Sequence, residues 1–141
     1  MNINKIAIVT APFYTHITDG LFKGAVGCLE INGCSYDRFD VAGALEIPLA
    51  CQMLAESGKY QAIVALGAVI RGETPHFDHV CEQSSRGILD VSLKHNIPIG
   101  NGIITIENEA QALARSGDNK KNKGAEAAEA AIGLLDLKAK L

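Results

Sequence analysis

The sequence predicts an α/β protein in which a parallel sheet is covered by helices on both faces. Three observations lead there. Short apolar runs alternate four times with stretches of helical periodicity, giving the order β-α-β-α-β-α-β-α. The runs Lys5 to Val9 and Gln61 to Ile70 are almost continuously apolar rather than alternating, as expected where both faces of a sheet are buried. Apolar residues make up 48% of the chain and aromatics 5%, with no Trp, so the core is aliphatic and Ala-rich. Right-handed crossovers follow for parallel strands joined by helices.

Lys5 to Val9 (Lys-Ile-Ala-Ile-Val) reads as a short buried strand, and Thr10 to His16 as the loop after it. From Ile17 the spacing turns helical: Ile17, Leu21, Ala25, Cys28 and Leu29 share one face, and Asn32-Gly33 stops the helix. Tyr36 to Val41 is a weaker second strand. Gly43 marks a turn, and Ala44 to Ser57 is a helix closed by Gly58. Gln61 to Ile70 is the third strand, Asp78 to His95 a helix ended by Asn96 and Pro98, and Ile97 to Ile106 the fourth strand. Glu107 to Arg115 is helical, Ser116 to Asn119 interrupts, and a final Ala/Glu/Leu-rich helix runs from Ala125 to the C-terminus.

The 141 residues suit one domain, 1–141, with no repeat or linker. A net charge of −3 argues against nucleic-acid binding by bulk charge, but leaves room for a small anion held by a few local cations. Cys28, Cys34, Cys51 and Cys81 show no metal-like pairing and read as reduced thiols of a cytoplasmic protein. No signal peptide or membrane span is expected.

In such a sheet the loops after the strands face one rim, where their contents can converge. The richest is Arg71 to Asp78, which follows the apolar run Ala65 to Ile70 and carries Arg71, Glu73, Thr74, His76 and Asp78. These groups could bind an anion and move a proton. His76 and His79 lack further ligands at metal spacing, so a general acid/base role for one of them is more economical than a metal site. His76 reads as a loop residue and His79 as helical. Phe13 is either a staple on the first helix or a flat face for an aromatic ligand. The turn Gly43-Ala44-Leu45-Glu46 opens a helix whose free backbone N–H groups can bind hydroxyls or anions, while Glu46 in the first turn also simply complements the helix dipole. Arg115 and Lys120, Lys121 and Lys123 form either a solvated basic turn or an anion clamp.

Other proteins with this order of elements fit poorly. A phosphate-receiver domain needs acidic residues after the first strand and an Asp at the end of the third. This chain has Thr10-Ala11-Pro12 and Gly67-Ala68-Val69. No Gly-rich nucleotide loop is present.

Gly43-Ala44-Leu45-Glu46-Ile47-Pro48, then Leu66-Gly67-Ala68-Val69-Ile70-Arg71-Gly72-Glu73-Thr74-Pro75-His76-Phe77-Asp78, then Asn122-Lys123-Gly124 resemble the 6,7-dimethyl-8-ribityllumazine synthase family, with matching spacing over nearly the whole chain. The resemblance implies a three-layer α/β/α sandwich around a four-stranded parallel sheet, a flavodoxin-like arrangement. It implies condensation of 5-amino-6-(D-ribitylamino)uracil with 3,4-dihydroxy-2-butanone 4-phosphate, the penultimate step of riboflavin biosynthesis, with no metal or organic cofactor. Phe13 would stack on the pyrimidinedione. Ala44, Leu45 and Glu46 would hold the ribityl chain, and Ala68, Val69 and Ile70 would read the uracil edge. Glu73 and Thr74 would form the phosphate-side turn, His76 would transfer protons, and Arg115 and Lys123 would bind phosphate from an adjacent subunit. Asn101 stands where several members carry an aromatic beside the bound ring.

The family's subunits form pentamers, and in some members twelve pentamers close into a shell. Lys121 stands where shell-forming members commonly carry Gly, which points to the free pentamer. A non-catalytic flavin- or lumazine-binding or shell-forming protein of the same fold is the alternative function. Retention of His76 and Arg115 favours the enzyme.

Overall fold

The computed structural model describes residues 3–141; Met1 and Asn2, the start of the stretch read for a signal peptide, lie outside the described residues. The elements are β1 (Lys5–Thr10), α1 (Thr15–Ile31), β2 (Ser35–Asp40), α2 (Ile47–Ser57), β3 (Ala62–Ile70), α3 (His76–His95), β4 (Ile99–Ile106), α4 (Glu109–Ser116) and α5 (Lys123–Ala139). The four strands form one sheet in the order β2-β1-β3-β4, every pair parallel. The expected three-layer α/β/α sandwich is therefore the observed fold.

Period-two alternation of the central strands splits the core into two halves. Ile6 and Ile8 of β1 and Val64 and Leu66 of β3 pack on α1 and α5, with Ile17, Leu21, Ala25 and Leu29 beneath them. Ala7 and Val9, with Ile63 and Ala65, turn to the other face and meet Ile47 and Cys51 of α2 and Ile88 and Val91 of α3. Cys28, expected on the buried face of α1, is only half-buried at its edge. Burial alone pushes the Cys51 thiol up to about 12.

Element ends differ from the sequence reading for local chemical reasons. Pro48 has no N–H with which to reach Ala44, so Ala44–Glu46 closes as one 3₁₀ turn and α2 starts at Ile47, whose N–H donates to the Ala44 carbonyl. Pro75 adopts helical backbone angles, φ −64° and ψ −2°, and α3 begins at His76 rather than Asp78. Pro98 cannot donate to the ladder, so β4 begins at Ile99. Asn108 and Asn122 accept hydrogen bonds from the N–H groups of Gln111 and Ala125, and thereby set the starts of α4 and α5.

Two glycines let α1 and α5 approach closely. A Cβ at Gly24 would overlap the Asn122 side chain, and one at Gly124 would overlap the Leu21 carbonyl. Asn122, only 6% exposed, fills the crossing: its Nδ2 donates to Gly20 O at 3.0 Å and Gly117 O at 2.9 Å, and its Oδ1 accepts from the Ala125 N–H at 3.0 Å. The turn carrying Arg115 and Lys123 is thus pinned to α1.

Candidate active site

From β1 the chain moves outward to β2 and then crosses back to β3, so a crevice opens between the C-terminal ends of β1 and β3. A cleft of about 350 Å³ occupies it. Four segments build its walls. Phe13 and Tyr14 come from the loop after β1, Gly43 and Ala44 from the turn after β2, Ala68 to Ile70 from the end of β3, and Thr74 and His76 from the start of α3. The buried side chains of Phe77 and Val80 anchor that first turn of α3.

β3 outruns β1. Their pairing ends at Thr10 opposite Leu66, while β4 follows β3 to Ile70. Along a parallel strand, alternate residues turn both backbone groups to the same side. Leu66 faces β1, where its carbonyl accepts from the Ala11 N–H at 3.0 Å, and Arg71 faces β4, donating to Ile106 O at 2.9 Å. Ala68 and Ile70 therefore aim N–H and C=O groups at the side β1 has vacated, which is the cleft. This edge can read the hydrogen-bond pattern of a flat heterocycle.

Phe13 is 77% exposed and meets Tyr14 edge-on, with ring centroids 5.0 Å apart. It does not staple α1, and its ring face is free for stacking. Thr10, buried at the end of β1, donates its hydroxyl to Asp40 at the end of β2, and the Val41 N–H donates to Thr10 O at 2.8 Å. The Thr10 hydroxyl first, and Arg38 second, hold the Asp40 carboxyl below the usual range. That ionised anchor fixes the approach to the Gly43–Glu46 turn. Ala44 lines the cleft, whereas Leu45 and Glu46 are exposed beside it and Glu73 is exposed on the following loop.

His76 is the first residue of α3 rather than a loop residue, and its N–H donates to Thr74 Oγ1 at 3.4 Å. It lines the cleft; His79, also exposed, does not. Among the described residues no group of three or more His, Cys, Asp or Glu is placed to hold a metal.

The remaining sequence-predicted residues do not converge on this cleft. Asn101 lies within β4, not at its C-terminal rim, and its Oδ1 accepts from the Ile103 N–H at 3.0 Å. With Arg115 and Lys123 it lines a separate hollow of about 200 Å³ against β4, the edge strand. The half-buried Arg115 donates through Nη1 to Gln111 O at 3.0 Å, and among the described residues no carboxylate pairs with it. Lys123 meets Glu126 at 2.9 Å.

Arg71, expected among the anion-binding groups, is already committed to Glu107 and Asp78 at 2.6 Å and 3.1 Å. Sequence reasoning also passed over Tyr14 and Asn122. Tyr14 had no signal beyond its aromatic neighbour. The place of Asn122 before Lys123-Gly124, at a helix start, was a capping signal.

These features define a protein of the open parallel α/β class, with a cleft at the crevice between β1 and β3 and a separate hollow lined by Arg115 and Lys123. The 6,7-dimethyl-8-ribityllumazine synthase family model matches residues 4–139. Proteins carrying that name are similar to this chain throughout: 50% identity to one from Sphingopyxis alaskensis, covering 94% of each chain; 50% to one from Zymomonas mobilis, covering 97% of this chain and 98% of that one; and 47% to one from Agrobacterium fabrum, covering 100% and 99%. A solved GDP-L-fucose synthetase from Naegleria fowleri aligns with a TM-score of 0.49 and 13% identity, over 99% of this chain and 46% of that one, too distant a likeness to inform either fold or ligand. The chain belongs to the 6,7-dimethyl-8-ribityllumazine synthase family.

Proposed function

We propose that this protein condenses 5-amino-6-(D-ribitylamino)uracil with 3,4-dihydroxy-2-butanone 4-phosphate to give 6,7-dimethyl-8-ribityllumazine, phosphate and water. Each working site is assembled from the cleft of one copy and the β4 hollow of the next. The observation that carries this reading is the separation of His76 from Arg115 and Lys123 into two hollows of one chain. The reaction needs the phosphate beside the proton-transfer group, and a neighbouring copy can supply it.

Within that site Phe13 stacks on the pyrimidinedione, Ala68 and Ile70 read its edge, and Val69 lines the cleft between them with its backbone facing β4. Ala44, Leu45 and Glu46 hold the ribityl hydroxyls, and Glu73 and Thr74 border the phosphate. Arg115 and Lys123 of the adjacent copy bind that phosphate, with Asn101 alongside. The substrates carry their own reactive groups. The amine adds to the ketone and water leaves as the imine forms; the anchored phosphate departs by elimination. The ribitylamino nitrogen then adds to the remaining carbonyl carbon, and a second water leaves as the ring closes. His76 relays the protons of these steps, and holding both partners together supplies several kcal/mol of barrier lowering. The relatives are named as enzymes and the cleft carries His76, so a non-catalytic lumazine binder of this fold is not favoured.

Exposed apolar residues support an oligomer. Leu49 and Met53 on α2 and Leu89 and Leu93 on α3 are 57%, 59%, 58% and 74% exposed. Each pair is spaced i, i+4, so the two packed helices both show an apolar stripe to a partner. A cyclic pentamer suits the family, and Lys121 favours the free pentamer over a shell. The free thiols suit the reducing cytoplasm.

Purified protein given both substrates should develop lumazine fluorescence. His76→Ala and Arg115→Ala chains, each strongly impaired alone at butanone phosphate near the wild-type KM, should regain about a quarter of wild-type activity when refolded together in equal amounts, the random fraction of interfaces with both halves intact. No recovery on mixing, or a fully active monomer of 14.9 kDa by light scattering, would refute the shared site.

A further inference from the structure

Arg71 ties together elements that the chemistry needs in register. Its Nε meets Glu107 in the β4–α4 turn at 2.6 Å, and its Nη2 meets Asp78 in the first turn of α3 at 3.1 Å. Its Cζ sits 4.3 Å from the centre of the Phe77 ring. By contrast, residues 72–75 are all exposed, and among the described residues their hydrogen bonds run forward into α3, from the His76 N–H to Thr74 and from the His79 N–H to Pro75. The loop therefore cannot place His76 by itself. Phe77 and Val80 set how deeply α3 seats. The Arg71–Asp78 pair adds a polar tie to the same turn.

We propose that Arg71 is a positioning residue: its planar fork bridges α3 to the β4–α4 turn and so aims His76 into the cleft. The inference rests on the reading of His76 as the proton-transfer group. The pairs are open to solvent, with side chains 40% exposed for Arg71, 64% for Asp78 and 56% for Glu107, so they add little to stability. Their value is geometric. A guanidinium reaches two carboxylates on different elements while lying across a ring, which a Lys ammonium cannot do. The same fork ties the His76 turn to the segment leading into α4, which carries Arg115.

The test compares wild type, Arg71→Met, Arg71→Lys and Glu107→Gln in the lumazine assay, with thermal melts and light scattering alongside. Arg71→Met should lower kcat about tenfold, short of the ~100-fold that a 1 Å misplacement can cause. KM for both substrates should stay within about threefold of wild type, and Tm within a few degrees. Arg71→Lys should remain impaired. Glu107→Gln, away from the cleft, should lower kcat in the same direction but less, and the double variant should be no worse than Arg71→Met alone.

Wild-type kcat in Arg71→Met would overturn the inference. So would full rescue by Lys, since charge alone would then suffice, or a selective rise in KM for the phosphate substrate, which would make Arg71 a ligand contact. Should Arg71→Met not fold, wild-type kinetics in Glu107→Gln would overturn it instead. A wild-type protein that makes no lumazine would refute the proposed reaction itself, and this inference with it.

Discussion

Asn122→Ala should destabilise the protein by about 3 kcal/mol. Asn122 caps α5 through its Oδ1 and satisfies two carbonyls, Gly20 O and Gly117 O, through its Nδ2. Loss of an N-cap costs about 1 kcal/mol, and each of the two buried hydrogen bonds contributes about another. The vacated space cannot close easily, because Gly24 faces it with no side chain. For a chain of this size the loss lowers Tm by roughly 10 °C. Asn122→Asp separates the contributions. It keeps the cap acceptor but turns a carboxylate toward two carbonyls in a buried site, so it should be at least as damaging as Ala. Chemical denaturation at fixed protein concentration, with the three proteins in parallel, measures the difference. An Asn122→Ala protein within 0.5 kcal/mol of wild type, or an Asp variant as stable as wild type, would refute the account of Asn122 as the pin between α1 and the Arg115 turn.

Three further outcomes are expected. His76→Ala should lower kcat with little effect on substrate binding, whereas His79→Ala, outside the cleft, should be mild; steady-state kinetics on both variants decides which histidine transfers the proton. Arg115→Ala should raise KM for the butanone phosphate selectively, with a loss of roughly 2–3 kcal/mol, or about 30- to 150-fold, as expected for a charge-assisted contact. The Tyr60 hydroxyl donates to Asp37 at 2.6 Å, and that bond raises its pKa to about 12 while lowering that of Asp37. The raised tyrosine pKa means the pair's contribution is complete below about pH 10 and lost as pH climbs toward 12. On the acid side, the lowered Asp37 pKa means it is present above the ordinary carboxylate range and lost as pH falls through that range. Tyr60→Phe should remove the latest-titrating phenol from an absorbance titration and narrow its stability gap to wild type at high pH.

The sequence by itself determined the sheet, the helices and several residues of the cleft between β1 and β3. Continuous apolar runs at β1 and β3 require burial on both faces, and the helical spacing between them requires parallel crossovers. Parallel crossovers bring the loops after the strands to one rim, which is why Phe13, Ala44, Thr74 and His76 were legible as neighbours. Local chemistry was legible less sharply: Pro48, Pro75 and Pro98 moved element boundaries because a missing N–H acts within one turn.

Only the tertiary structure decided what depends on partners distant in the chain. Arg71 and Arg115 are alike as letters, yet two carboxylates engage Arg71, one of them from the turn after β4, while among the described residues Arg115 meets a carbonyl and no carboxylate. Asn122 carried a capping signal in the sequence, but its bond to Gly20 O and its packing against Gly24 are visible only with α1 in place. Asn101 was expected beside the bound ring, and Arg115 and Lys123 at an adjacent copy's site; that the three share one hollow follows from the edge position of β4. Periodicity reports which face of an element is buried. Which charged group neutralises which, and which hollows meet, depends on distances between elements that sequence spacing does not encode.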